Sequence, residues 1–195
     1  MAGIALYGQH LDRLLEGTQL VHLQHRLESV RIIPKQGEEP RKDHASATID
    51  AISCSEVSAD RQRTFCMPVS TESDADPGPP TLWSASIDAL AAGSDIRIRN
   101  NEFSLITGPN HNTKRLIVVS AANVSSYNID HLANSDISPI EDPGQSWNTL
   151  TVGAFTQLDQ APRDPSYTNY TPVAPVGELS PHSRRSLLFG DHSLP

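Results

Sequence analysis

Arg115-Leu-Ile-Val-Val-Ser-Ala-Ala-Asn123 is the stretch on which the fold turns. A strand with one wet face alternates apolar and polar residues, whereas Leu116, Ile117, Val118 and Val119 run without interruption. Such a run is expected of a strand in a parallel sheet covered on both faces. It closes with three small residues and then a side-chain amide, at the point where the chain leaves the sheet. Ligand-binding groups of open α/β sheets gather at the carboxyl ends of the strands, so Asn123 falls where chemistry is expected. Two roles fit an amide there: it can favour a turn, or aim its NH2 at an oxygen that gains negative charge during a reaction. Taken by itself, Asn123 is better explained as a turn former.

Working outward, Leu82-Trp-Ser-Ala-Ser-Ile-Asp-Ala-Leu-Ala-Ala92 predicts a helix, stopped by Gly93 in the position after the cap. Ala45, Ile49, Ile52 and Val57 recur at helical spacing and predict a helix over 45–59. Thr64-Phe-Cys-Met-Pro-Val69 predicts a short strand, as does Leu27-Glu-Ser-Val-Arg-Ile-Ile33 before its proline stop. Residues 1–15 predict a helix that contains Gly3 and Gly8. Asn148-Thr-Leu-Thr-Val-Gly-Ala-Phe155 predicts the last strand. Long polar loops are expected near 34–44, 70–80, 94–113, 124–146 and 157–178, the third of these irregular. Strands that alternate with helices favour right-handed crossovers. The expectation is one α/β domain over 1–195, a three-layer αβα arrangement around a mostly parallel sheet.

The chain has 15 basic and 23 acidic side chains and a net charge of −8. No basic field is available to displace counterions from phosphates, so nucleic acid is not an expected partner. The short basic clusters at 61–63, 114–115 and 184–185 read as surface turns. No apolar run approaches the roughly 18 residues of a membrane span, and the apolar start lacks the basic flank of a signal peptide. Membrane is therefore not an expected partner either. Cys54 and Cys66 form neither a Cys-x-x-Cys pair nor a disulfide framework, and a reducing cytoplasm is the expected location. Cys66, inside an apolar run, is expected to behave as a small hydrophobe.

The remaining polar residues predict no metal and no cofactor. His22 and His25 lack a third ligand. Asp74, Asp76, Glu141 and Asp142 match no calcium-loop spacing and read as solvated loop charges. His182 lies too near Ser180 and Ser183 in sequence for a nucleophile-and-base arrangement.

Several blocks, taken in order, resemble subtilisin-like serine proteases, the subtilase family. Met1-Ala-Gly resembles the start of the helix after that family's His-Gly-Thr. Val30-Arg-Ile-Ile33 resembles the strand beyond it, and Phe65-Cys-Met-Pro-Val-Ser70 the strand edge that lines the substrate cleft. The helix over Trp83 to Gly93 resembles the one before the oxyanion strand. Leu116-Ile-Val-Val-Ser-Ala-Ala-Asn123 resembles that strand itself, which in the family ends in Ala-Gly-Asn. Trp147-Asn-Thr-Leu-Thr-Val-Gly-Ala-Phe155 and Leu179-Ser-Pro-His-Ser-Arg184 resemble the blocks that follow.

The resemblance implies acyl transfer on a peptide or protein substrate, by a Ser nucleophile activated by His and oriented by Asp. It makes Asn123 the oxyanion donor. Ser120, Ala121 and Ala122 become part of the pocket wall, and Pro68, Val69 and Ser70 pair with the substrate backbone as an added strand. Ala122 stands where the family has Gly, so its methyl is expected either to crowd the substrate or to strain the backbone. On this correspondence the triad His falls before Met1, the Asp earlier still, and the Ser beyond the block at 180–184. The chain thus reads as an internal segment of a subtilase domain, incomplete at both ends and without peptidase turnover of its own. The rival from another class is a non-catalytic module that binds extended peptides.

Overall fold

The computed structural model describes residues 2–7, 11–18, 20–23, 25–35, 43–58, 60–71, 80–100, 102–124, 130–157, 160 and 163–185. Their order is α1 (Ala2–Tyr7), α2 (Leu11–Glu16), α3 (His44–Ser58), β1 (Thr64–Met67), α4 (Leu82–Ala91), β2 (Ile96–Arg99), β3 (Glu102–Leu105), β4 (Leu116–Ser120), α5 (His131–Asp136) and β5 (Leu150–Val152). Two short 3-10 turns, His111–Thr113 and Pro165–Tyr167, complete the set.

β4 is the centre of a parallel three-stranded sheet in the order β1-β4-β5. Phe65 pairs with Ile117 and Met67 with Val119, while Val119 pairs with Thr151 on the other side. Met67, Ile117 and Val119 point into one buried cluster with Ala45 and Ile52 of α3 and Trp83, Ile87 and Leu90 of α4. The fold is α/β, with helices layered on a parallel sheet, as the sequence leads one to expect. On the opposite face Leu116, Leu150 and Val152 are about half exposed, so β4 does alternate in burial despite its unbroken apolar sequence. Cys66 sits on this more open face and is exposed, which corrects its expected role as a buried hydrophobe.

α4 is built by local signals at both ends. The Thr81 hydroxyl accepts the Ser84 N–H and the Ser84 hydroxyl accepts the Thr81 N–H, a reciprocal cap. At the far end Gly93 adopts φ 84°. Its N–H reaches the Leu90 carbonyl at 3.1 Å and the Ser94 N–H the Ala89 carbonyl at 2.9 Å, which gives two carbonyls of the last turn a main-chain donor. A Cβ at Gly93 would lie 2.3 Å from the Asn110 carbonyl oxygen, so both space and φ demand glycine. α3 packs on α4 through Trp83, whose indole N–H donates to the Thr48 hydroxyl at 2.9 Å and whose ring stacks on His44.

Of the helix expected over 1–15, Ala2–Tyr7 and Leu11–Glu16 are helical, and residues 8–10, Gly8 among them, lie outside the described ones. Two expectations change. Residues 27–33 form no ladder with any described strand, so no neighbouring strand takes their backbone groups. That segment is held instead by Ile32 against the core and by Glu28, which pairs with Arg61 at 3.0 Å and Arg63 at 2.6 Å. The basic cluster at 61–63 is thus an internal tether. Hydrogen bonding from Arg63 and the charges of both arginines hold the Glu28 carboxyl below its ordinary range. Finally, residues 94–113 are not irregular throughout: β2 and β3 form an antiparallel hairpin, turned at Asn100 with φ 51°.

Candidate functional site

β1 and β4 run parallel, so they deliver their carboxyl ends to the same edge of the sheet. One residue past the Met67–Val119 pair, Pro68 leaves β1 while Ser120 ends β4. The two segments singled out in the sequence, 68–70 and 120–123, therefore leave the sheet side by side.

Within 68–70, Pro68 is exposed, Val69 is half-buried and packs on the core, and Ser70 is half-buried. Thr71 then bridges antiparallel to Asp142, its N–H donating to the Asp142 carbonyl at 2.9 Å. Within 120–123, the Ser120 hydroxyl accepts the Ala122 N–H at 3.1 Å, and the Ala121 N–H donates to Val152 at 3.0 Å. Ala121 and Ala122 are buried.

Ala122 adopts φ 76°, the left-handed region. That conformation costs an L-residue about 1–2 kcal/mol. An alanine at this position thus carries backbone strain. Asn123 follows at once. Its side chain is exposed and makes no hydrogen bond with a described residue, although its backbone bridges antiparallel to Ser183.

Residues from the chain's later part bind this turn. The Val124 N–H donates to the His182 carbonyl at 2.9 Å and the Arg184 N–H to the Ala122 carbonyl at 3.3 Å. The Arg184 guanidinium donates to the Asn123 carbonyl at 2.8 Å and the Pro139 carbonyl at 3.1 Å, and pairs with Glu141 at 2.5 Å. Gly144 fits beneath: a Cβ there would lie 2.7 Å from the Ser120 carbonyl oxygen and 2.6 Å from Ile140 Cγ2.

Asp142 is buried, not a solvated loop charge as its sequence context suggested. It follows Glu141 and precedes Pro143 across a cis peptide bond, and it accepts the Thr81 hydroxyl at 2.7 Å. Burial pushes its carboxyl above the ordinary range, partly offset by the Thr81 hydrogen bond and the charge of His44. Glu141 is equally engaged, through Arg184.

None of the serines near His182 is poised as a nucleophile among the described residues. The Ser183 hydroxyl is fully buried, accepts the Ala154 N–H at 3.0 Å and donates to the Arg184 carbonyl at 3.2 Å. The Ser180 hydroxyl accepts the His182 N–H at 3.3 Å. Ser186 lies outside the described residues. His22 is exposed, and His25 Nε2 is bonded to the Ala5 carbonyl. Among the described residues no three His, Cys, Asp or Glu side chains cluster in a way that would hold a metal ion, and no helix is long and apolar enough to cross a membrane. Asp74 and Asp76 lie outside the described residues.

A parallel α/β sheet here presents a side-chain amide at the carboxyl end of its central strand, where the ligand groups of open α/β sheets gather. The model of the subtilase family matches residues 1–193, and the chain belongs to that family of serine hydrolases. No curated protein and no solved structure gives a significant match.

Sequence reasoning missed Arg184, Glu141, Asp142 and Gly144 as parts of this end of the molecule. The Asp-Pro-Gly run at 142–144 was a usable sign of a tight turn, but nothing local ties it to Ser120 or to Arg184.

Proposed function

We propose that this chain carries the substrate groove and the oxyanion donor of a serine endopeptidase, and does not hydrolyse peptides by itself. The observation that carries the reading is the exposed Asn123 at the carboxyl end of β4, whose amide makes no hydrogen bond with a described residue, next to the end of β1. An extended peptide laid along residues 68–70 would add a strand there, with Ser120, Ala121 and Ala122 on its other side and its reacting carbonyl toward Asn123. An amide donor held in place before the reaction stabilises a developing oxyanion by about 3–4 kcal/mol.

Turnover also requires an activated nucleophile. The 195 residues contain neither His-Gly-Thr nor Gly-Thr-Ser, and the Ser183 hydroxyl is spent on Ala154 and Arg184. That observation favours peptide binding without chemistry, a binding module, wherever no other chain supplies Ser, His and Asp. No metal or cofactor enters this reading, and the cytoplasm remains the proposed location.

Two measurements test it. The purified chain should not react with a fluorophosphonate, which labels activated serines. Labelled Ser180, Ser183 or Ser186 would replace this reading with a complete hydrolase. An extended peptide should shift the NMR signals of residues 68–70 and 120–123, Asn123 side-chain NH2 included. Shifts confined to other regions would remove the groove.

A further inference from the structure

The turn that presents Asn123 combines two features that do not sit together without help. Ala122 holds a left-handed φ of 76° without being glycine, and Asn123 is exposed, its side chain making no hydrogen bond with a described residue. A strained residue persists only where its surroundings over-determine it. Around this turn the over-determination comes largely from one residue. Arg184 binds the Ala122 carbonyl through its backbone N–H and the Asn123 carbonyl through Nε at 2.8 Å. Its two other nitrogens are fixed by Pro139 and Glu141, and both partners of the Arg184–Glu141 pair are only 12% exposed.

We infer that Arg184 is a positioning residue for Asn123: its guanidinium, oriented by Glu141, locks the Ala122–Asn123 backbone so that the amide stays aimed outward. Arg184 does not touch the substrate and is not catalytic. The inference rests on Asn123 acting as oxyanion donor, and it adds what keeps that donor in place where the backbone is least content. A rigid planar fork is needed for the task. Arg184 donates in three directions at once, and a lysine ammonium on a flexible stem cannot reproduce them.

Two readouts separate the clamp from the donor. The first is amide hydrogen exchange in the full chain. Arg184→Ala and Arg184→Lys should both speed exchange at Val124 by about tenfold or more, while the amides of β4 stay protected. The second is the preference for a peptide ending in a phosphonate, tetrahedral and anionic, over the same peptide ending in a carboxamide. Arg184→Ala should lower that preference about tenfold with carboxamide affinity unchanged. Arg184→Lys, which keeps the charge, should lower it nearly as much. In an Ala122→Gly background the same Arg184→Ala change should alter the preference less than about twofold, because the backbone no longer resists the turn.

Unchanged exchange at Val124, or a lysine variant that keeps the full preference, overturns the clamp and leaves Arg184 as a charge or a packing residue. A wild-type chain that shows no phosphonate preference, or keeps it in Asn123→Ala, removes the donor itself and with it the purpose assigned to the clamp. A general loss of protection that includes β4 in all Arg184 variants also counts against a positioning role.

Discussion

The two ends of β4 are each tied down by an arginine, and the ties differ in kind. At the amino end Arg115 donates to Glu56 of α3 at 2.6 and 2.9 Å and to the Leu90 carbonyl of α4 at 2.9 Å. It joins a strand to the two helices that cover it, between residues that hold unstrained conformations. At the carboxyl end Arg184 binds a turn that contains a left-handed alanine and an exposed amide. The first arginine secures packing that burial already favours. The second holds a conformation that the backbone on its own disfavours. Identical chemistry, a guanidinium shared between a carboxylate and main-chain carbonyls, serves a scaffold at one end and a presented group at the other.

The sharpest way to break this contrast is at its middle. Ile117 is 1% exposed beneath α3 and α4, and Ile117→Ala is expected to lower stability by about 2–5 kcal/mol, read as the urea midpoint. Peptide binding, measured well below that midpoint, should survive.

Gly144→Ala should reverse the pattern. The new methyl meets the Ser120 carbonyl and Ile140 at under 3 Å, which costs about 1–3 kcal/mol. Because the displaced oxygen belongs to the last residue of β4, peptide affinity should fall by more than the stability loss alone explains. Equal peptide affinity in this variant would show that the groove does not depend on the end of β4.

Arg115→Ala takes the guanidinium from Glu56 and leaves the Leu90 carbonyl with the Gly93 N–H. The expected loss is about 1–2 kcal/mol in urea unfolding, with NMR signals of residues 120–123 unmoved. If those signals shift, the two ends of the strand are coupled and the contrast is too simple.

The smallest effect concerns pH. Burial raises the Asp142 carboxyl above its ordinary value, so between that value and the folded one the native state binds more protons than the unfolded chain. Stability from this group is therefore present at low pH and falls as pH rises from about 4 through the folded value. Asp88, also raised by burial, contributes with the same sign. Asp142→Asn keeps an acceptor for the Thr81 hydroxyl and should reduce the drop in urea midpoint from pH 4 to pH 7. A steeper drop in the variant would mean that the carboxylate is stabilised when charged.

These contrasts also mark how much the sequence revealed. The apolar run of β4, the capped helix with Gly93 after it and the helix over 44–58 were legible because their signals are local. So was the position of Asn123, since a strand's end and its next side chain are neighbours in the chain. What was hidden depends on partners distant in sequence. Residues 27–33 carry β-branched side chains, yet a strand exists only beside another strand. Arg97 and Arg99 alternate with Ile96 and Ile98 around a turn at Asn100, a hairpin signal that polar composition obscured. The Arg184–Glu141 pair and the fit of Gly144 under Ser120 join segments with no shared pattern, and only packing brings them together.

The pairing of Thr64 with Leu116 has a kinetic side. Between the two lie α4, the β2–β3 hairpin and their loops, all of which must be gathered before the central ladder can close. Closing such a loop grows more difficult only with the logarithm of its length, by about 0.6 kcal/mol per doubling. The hairpin can therefore lengthen or shorten with little effect on the folding equilibrium. The rate is another matter, because non-local parallel pairings are slow to find. α3 and α4 can form from local contacts, while the edge that carries Asn123 waits until β1 reaches β4, which makes it among the last parts of the molecule to take shape.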